Sequence, residues 1–363
     1  MTKVLLINLG REYGGAEKVI ENLFFSNYEN CRMYLVALDN TKFADIIKAN
    51  ENGNRVVLIP NDKKKIIKSL LKIRKYILDN NINIIHAHGV TSEVFGVLLS
   101  LITKRKVITT IHSRADFDTT NKLKGNIYCF LQKYLINLNK KYIVVSNELE
   151  KFFVEDLKVN DEKLIFINNG LRELNNRERV KHEEFTICSI GRLTAVKAHN
   201  KLIEAMTEIN DEKINLECLI AGNGELESSL KTQVVNSSLE DRIKFLGFIE
   251  DVRDVFDKSD CLIIQSDMEG LPMTLLEAMS YKIPIIAYRV GGIKKLLSSN
   301  ECIELKSNKP SDIACGIREA FYKSRDELSC IANNAFVKFK KNYDIEIFIK
   351  KHEALYRSIE GDI

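Results

Sequence analysis

CLIIQSDMEGLPMTLLEAMSYKIPIIAYRV, residues 261–290, reads as a strand, a polar bend, a helix and a second strand in close succession. Residues 261–265 form an apolar run of strand length, and residues 266–270 are the bend. Pro272 stands at the start of a helical pattern through Met279, a place where its missing N–H would be unpaired anyway. Residues 283–287 are the second strand. A helix beginning there leaves backbone N–H groups, from about Met273 to Leu276, pointing out toward the bend. Such a terminus carries roughly half a positive charge and favours an anion, typically phosphate. Glu269 sits just before it, and Glu277 lies inside the helix. A phosphate site flanked by two carboxylates fits a diphosphate with hydroxyl-bearing groups on either side, as in a sugar nucleotide.

The same strand-to-helix unit recurs along the chain. Strands are expected at residues 4–8, 33–38, 56–59, 84–88, 107–111, 142–146 and 164–167. A second series follows at 185–190, 216–221, 243–247, 261–265 and 283–287. Between them lies LRELNNRERVKHEE, residues 171–184, with the polar, highly charged composition of a linker. Two sets of alternating strands and helices imply two doubly wound parallel sheets, an α/β fold that binds ligands beyond the carboxyl ends of its strands. Gly14, His86, His112, Arg192, Gly222 and Glu269 all fall at such ends.

Bulk properties agree. With 363 residues, two domains of about 170 residues are the natural division. A hydrophobic content of 45% and a charged content of 29% describe a soluble globular protein. No apolar run reaches the roughly 18 residues of a membrane-spanning helix, and MTKVLLINLG reads as a first strand, not a signal peptide. Eight cysteines without C-x-x-C pairs, several in apolar runs (Cys188, Cys218, Cys261), read as buried thiols in a reducing cytoplasm. The net charge of +4 is uneven: residues 1–180 carry 29 Lys and Arg against 20 Asp and Glu, and the remainder 25 against 30. The first half is therefore suited to an anionic surface. In particular KKKIIKSLLKIRKYI, which includes the stretch from Lys63 to Lys75, has a helical apolar period ringed by cations. It is either a core-packed helix with a solvated basic face or one that meets anionic lipid headgroups at the inner face of the cell membrane. No nucleic-acid partner is expected.

Several residues carry chemistry of their own. Arg192 and Lys197 follow a strand on a glycine-started turn and can both reach one diphosphate, the arginine in a bidentate way. Gly14 and Gly15 allow close approach of a ligand to the backbone where a helix begins. His86 and His88 share one face of a strand, without the third ligand that zinc would need. Asp116 and Asp118 form a D-x-D pair within a polar loop and read as loop or capping acids.

EGLPMTLLEAM, with Glu269 and Glu277 spaced E-x7-E, closely resembles the donor-site motif of retaining glycosyltransferases of the family-4 type. The resemblance implies the GT-B architecture: two facing Rossmann-like domains, here 1–172 for the acceptor and 173–344 for the nucleotide sugar, with a helix in 345–363 crossing back. It implies that Glu269 receives hydroxyls of the donor sugar and Glu277 those of the ribose. Gly270, Leu271, Met273, Thr274 and Leu275 complete the donor loop and helix tip. The resemblance extends to Gly14–Glu17 (GGAE), across the cleft from the diphosphate, and to Gly222 and Asn223 in the "G-x-G" turn by the nucleotide. Phe248 and Ile249 would line the base, His112 would face the donor sugar, and HAHG (His86, His88) would lie near the acceptor. Arg192 and Lys197 would neutralise the diphosphate as the glycosidic bond breaks. Ala198 stands where the family usually has glycine, a change the site survives if the backbone φ there is negative.

The expected activity is metal-independent, retaining transfer from a nucleotide-diphosphate sugar, most simply a UDP-sugar. The acceptor would be a glycan or polyprenyl-linked saccharide, with no cofactor required. A sugar-nucleotide epimerase on the same scaffold would act without an acceptor, and a non-catalytic binder would hold the donor without turnover. A glycoside hydrolase using Glu269 and Glu277 is disfavoured, since the second acid sits in a helix beside a phosphate-binding terminus.

Overall fold

Strands covered on both faces by helices have no polar side to show, so they read as unbroken apolar runs, and two sheets of this kind form the protein. The computed structural model describes residues 1–51, 53–112, 134–174, 184–210, 212 and 214–361. Asp116 and Asp118, and residues 175–183 of the expected linker, lie outside these.

The first sheet contains β1 (Thr2–Asn8), β2 (Cys31–Leu38), β3 (Val56–Ile59), β4 (Ile84–His88), β5 (Lys106–Ile111), β6 (Lys141–Val144) and β7 (Leu164–Phe166). They are all parallel, in the order β3-β2-β1-β4-β5-β6-β7. Val4, Leu5, Leu6 and Ile7 of the central β1 are fully buried. This sheet belongs to a compact unit of Met1–Arg172 together with Ile345–Ile363. The closing helix, Ile345–Gly361, buries Phe348, Ile349, His352, Leu355, Tyr356 and Ile359. Ile345 N–H donates to Leu171 O at 3.0 Å, and Lys106 Nζ donates to Ile359 O at 2.6 Å.

The second unit is Glu173–Asp344. Its sheet contains β8 (Phe185–Ile190), β9 (Leu216–Ala221), β10 (Ile243–Gly247), β11 (Cys261–Ile264), β12 (Ile285–Tyr288) and β13 (Ile303–Leu305), again all parallel, in the order β10-β9-β8-β11-β12-β13. Leu202 and Met206 from the helix His199–Asn210, Ile263 and Ile286 from the sheet, and Ile317 from the helix Pro310–Tyr322 meet in its core. In both units the first strand is central, and the strand order reverses beside it. Such a reversal opens a crevice at the carboxyl ends of the two strands that flank it.

Two expectations shift in position. The strand after the helix Met273–Tyr281 begins at Ile285, not at residue 283. Ile283 N–H closes the helix by donating to Ala278 O at 3.1 Å, and Pro284 has no N–H to give a ladder. In the basic helix Ile66–Asp79, only part of the apolar set faces inward: Ile73 and Ile77 are buried, with Ser69 beside them. Ile66, Ile67 and Leu71 are exposed, at 46, 70 and 61%. Among the described residues no helix is long and apolar enough to cross a membrane. Cys31, Cys188, Cys218, Cys261 and Cys302 are buried free thiols.

Candidate active site

In the second unit the reversal lies between β8 and β11, and the loops that leave these strands are laced together. Gln265 Nε2 donates to Lys197 O at 2.8 Å, and Asp267 N–H to Val196 O at 2.8 Å. Lys197 Nζ lies 2.6 Å from Glu269 Oε1, and Ser266 Oγ donates to the same oxygen at 2.6 Å. The Glu269 side chain is 8% exposed and that of Lys197 25%. The ammonium and the hydroxyl take the place of water at Oε1 of this enclosed carboxylate. Thr274, Ser189 and His199 line the same small depression.

Backbone packing holds this arrangement. A Cβ on Gly292 would stand 1.7 Å from Gly270 O, and one on Gly291, at φ +55, would stand 2.1 Å from Glu269 O. Gly292 N–H donates to Glu269 O at 2.9 Å. The turn after β12 therefore fits against the Glu269 loop only with glycines. On the other side Gly222, at φ +133, abuts Gly191 O, and Leu193 N–H donates to Asn223 O at 2.9 Å.

The helix tip offers fewer free donors than its position suggests. Leu275 and Leu276 N–H both point to Pro272 O, at 3.1 and 3.4 Å. Leu275 and Leu276 are thus removed from the expected set of N–H donors, and Met273 and Thr274 supply the N–H groups that remain. Leu271, Met273 and Leu275 are buried and shape the loop from beneath. Glu277 is half-buried one turn further on, and Arg192 is exposed on the turn after β8. Phe248, 41% exposed, and the half-buried Ile249 follow β10. All these residues lie at the carboxyl edge of one sheet.

Ala198 departs from expectation. Its backbone sits at φ 52, ψ 36, in the left-handed region, so the negative φ that would ease the glycine-to-alanine change is not adopted. The strain is of the order of 1–2 kcal/mol. It places His199, 2% exposed, at the head of its helix with neither ring nitrogen partnered among the described residues. Burial, with the Lys197 charge adding to it, pushes the His199 imidazole down to about 4. His199 was not in the expected site; its place two residues after Lys197 is the only signal the sequence carries.

In the first unit, the loop after β1 is organised by Glu17. Its carboxylate accepts Gly14 N–H at 3.0 Å and Asn8 Nδ2 at 3.2 Å. The acid of GGAE therefore builds the loop itself, with Gly14 and Gly15 beginning the helix Gly15–Phe25. The two histidines of β4 separate in role. His86 is fully buried, with Nδ1 2.8 Å from Tyr356 Oη and Nε2 2.7 Å from Thr110 Oγ1. Its ring ties the closing helix to the sheet and has no nitrogen left for an acceptor. His88 Nδ1 instead meets His112 Nε2 at 3.1 Å.

A family model described as Glycosyltransferase Family 4 matches residues 13–172, and one described as Glycosyl transferases group 1 matches residues 172–336. The chain belongs to the family-4-type glycosyltransferases. Among curated members it is similar to the O-antigen biosynthesis glycosyltransferase WbnH of Escherichia coli, with 28% identity over 99% of both chains. It is also similar to the UDP-Gal:alpha-D-GlcNAc-diphosphoundecaprenol alpha-1,3-galactosyltransferase of the same organism, at 25% over 63% of each chain. Among solved structures, Anabaena Alr3699/HepE in complex with UDP and glucose superposes with a TM-score of 0.85 at 17% identity, over 99% of this chain and 100% of that one. Sucrose-phosphate synthase from Thermosynechococcus elongatus gives 0.82 at 15%, over 100% of both. The fold of this glycosyltransferase is GT-B.

Proposed function

We propose that this glycosyltransferase moves a sugar from a UDP-sugar to a glycan or polyprenyl-linked saccharide in cell-envelope polysaccharide synthesis, with retention at the anomeric carbon and without a metal ion. The observation that carries this reading is the Lys197–Glu269 pair beside the helix tip of Met273 and Thr274. The names of the relatives support the choice of nucleotide and of acceptor class.

In the proposed reaction the bond from the anomeric carbon to the β-phosphate oxygen breaks, leaving an oxocarbenium-like centre and negative charge on the departing diphosphate. Arg192, Lys197 and the N–H groups of Met273 and Thr274 stabilise that charge. Lys197 has three N–H donors, so its bond to Glu269 leaves two for phosphate oxygens. Glu269 Oε1 is engaged by Lys197 and Ser266, which turns Oε2 to the hydroxyls of the sugar. Glu277 holds the ribose. The departing phosphate oxygen takes the proton of the acceptor hydroxyl while the acceptor oxygen bonds the anomeric carbon on the same face. No enzyme nucleophile is then needed. The cations already on the chain supply what a divalent metal would.

The test is a screen of nucleotide sugars for thermal stabilisation, followed by mass spectrometry of products with lipid-linked and glycan acceptors, with and without EDTA. A transferred sugar of retained configuration, made equally in EDTA, is expected. Loss of activity in EDTA with rescue by magnesium or manganese would overturn metal independence, and conversion of UDP-GlcNAc without acceptor would mark an epimerase instead. We further propose that the helix Ile66–Asp79 meets anionic membrane through Ile67 and Leu71 flanked by Lys64, Lys68, Lys72 and Lys75. Sedimentation with anionic liposomes at physiological salt tests this. Binding unchanged after those lysines become glutamine would count against it.

A further inference from the structure

β4 and β5 pair with His88 opposite Thr110, so His112 follows two residues beyond that partner, just past the end of β5. The two imidazoles lie at 17° with centroids 5.4 Å apart, and the facing nitrogens are 3.1 Å apart. The rings therefore meet edge to edge in nearly one plane, the geometry of an in-plane hydrogen bond. His88 is 4% exposed, and its other nitrogen, Nε2, has no partner among the described residues. Burial is the main cause that holds both rings neutral near pH 7, with His112 pushed down to about 4 and His88 well below its ordinary value.

Two neutral imidazoles share one proton in their common bond, which leaves two arrangements. If His112 donates from Nε2, His88 must carry its own proton on Nε2, a buried N–H with no acceptor. If His88 donates from Nδ1, its Nε2 is a bare lone pair. Buried donors without partners are rarer in folded proteins than under-satisfied acceptors, so the second arrangement prevails. His86 does not compete for either nitrogen, being bonded to Tyr356 and Thr110.

We propose that His88 is a positioning residue whose Nδ1–H fixes His112 as the tautomer protonated on Nδ1, so that His112 presents an N–H at the carboxyl edge of the first sheet to a hydroxyl oxygen of a sugar substrate. This rests on the reading of His112 as a donor-site residue. The pairing explains why two histidines close β4 while only one is tied to the closing helix.

The tautomer is read directly by nitrogen-15 NMR of the full-length protein with labelled histidine, His112 being assigned by the signals lost in His112→Ala. Wild type should show His112 protonated on Nδ1. His88→Asn places an amide N–H where Nδ1–H stood and should keep that state. His88→Leu should release it toward protonation on Nε2, and kcat for transfer should fall about tenfold, the worth of one hydrogen bond, with recovery in His88→Asn. If His88→Leu does not fold, His88→Gln, whose amide lies at the Nε2 position, takes its place. Wild-type His112 protonated on Nε2 would overturn the proposal, as would a His88→Asn variant as slow as His88→Leu. The NMR measurement needs no turnover. Undiminished transfer by His112→Ala would instead remove His112 from the donor site while leaving the tautomer result standing.

Discussion

Lys197 and Glu269, 72 residues apart in sequence, meet at 2.6 Å where the loops after β8 and β11 converge. The pair joins the residue expected on the diphosphate to the one expected on the sugar, so each limits where the other can go. Lys197→Ala removes the cation and leaves Glu269 with Ser266 alone. With the donor identified by thermal stabilisation, kcat for Lys197→Ala or Arg192→Ala should fall about 10²–10³-fold, the usual loss of about 2.7–4 kcal/mol for one charge-stabilising donor. Near-normal turnover in either variant would refute the assignment.

Gly292→Ala should damage the site from outside it. Its Cβ would fall on Gly270 O, so the Glu269 loop must move. Donor affinity, measured by calorimetry, should drop while the Lys197→Ala variant's loss of kcat is reproduced only in part. Unaltered donor affinity would show that the loop is not held by the turn after β12.

Ala198 invites the opposite change. Glycine at φ 52 relieves the left-handed strain and gives back part of that gain through a freer unfolded chain. Ala198→Gly should stabilise the second unit by about 0.5–1 kcal/mol, read from hydrogen exchange of its core amides. A loss of protection would contradict the backbone conformation described.

His352 contributes to the pH dependence of the first unit, together with His86, His88 and His112, whose rings burial also holds neutral. Burial pushes the His352 imidazole down to about 4, the Lys351 charge adding and the bond to Phe348 O opposing. Unfolded, it titrates near 6.5. Above about pH 6.5 the ring is neutral in both states, and stability is fully present. As pH falls from there toward 4 the unfolded chain takes up the proton first, so stability is progressively lost. Urea midpoints between pH 7 and 4.5 should fall, and His352→Phe should flatten the slope by up to about 1.4 kcal/mol per pH unit. An unchanged slope would show that the ring is not held neutral.

Strands 56–59, 84–88, 185–190, 216–221 and 243–247 fall where the apolar runs place them, because a strand buried on both faces needs no alternation to be seen. β13 and the helices Lys42–Asn50 and Glu227–Asn236 are not evident from pattern, being short or, in the last case, weakly amphipathic. The carboxyl-edge placement of Arg192, Lys197 and Glu269 is legible for the same reason as the strands. Their contacts are not: Lys197 with Glu269 depends on which strands neighbour each other, and His88 with His112 depends on register between β4 and β5. The loss of Leu275 N–H to Pro272 O and the positive φ of Ala198 are turn details below the resolution of residue type.

Because Ile345 N–H is hydrogen-bonded to Leu171 O, the chain leaves the first unit and re-enters it at adjacent points. The second unit is topologically an insert. A stop at residue 172 would strip His86 of Tyr356 and uncover the face beneath Phe348 and Leu355, so that fragment should aggregate. Splicing Arg172 directly to Ile345, by contrast, should yield a self-sufficient half-protein, and the excised span 173–344 a second one, letting each half be assayed for its own ligand.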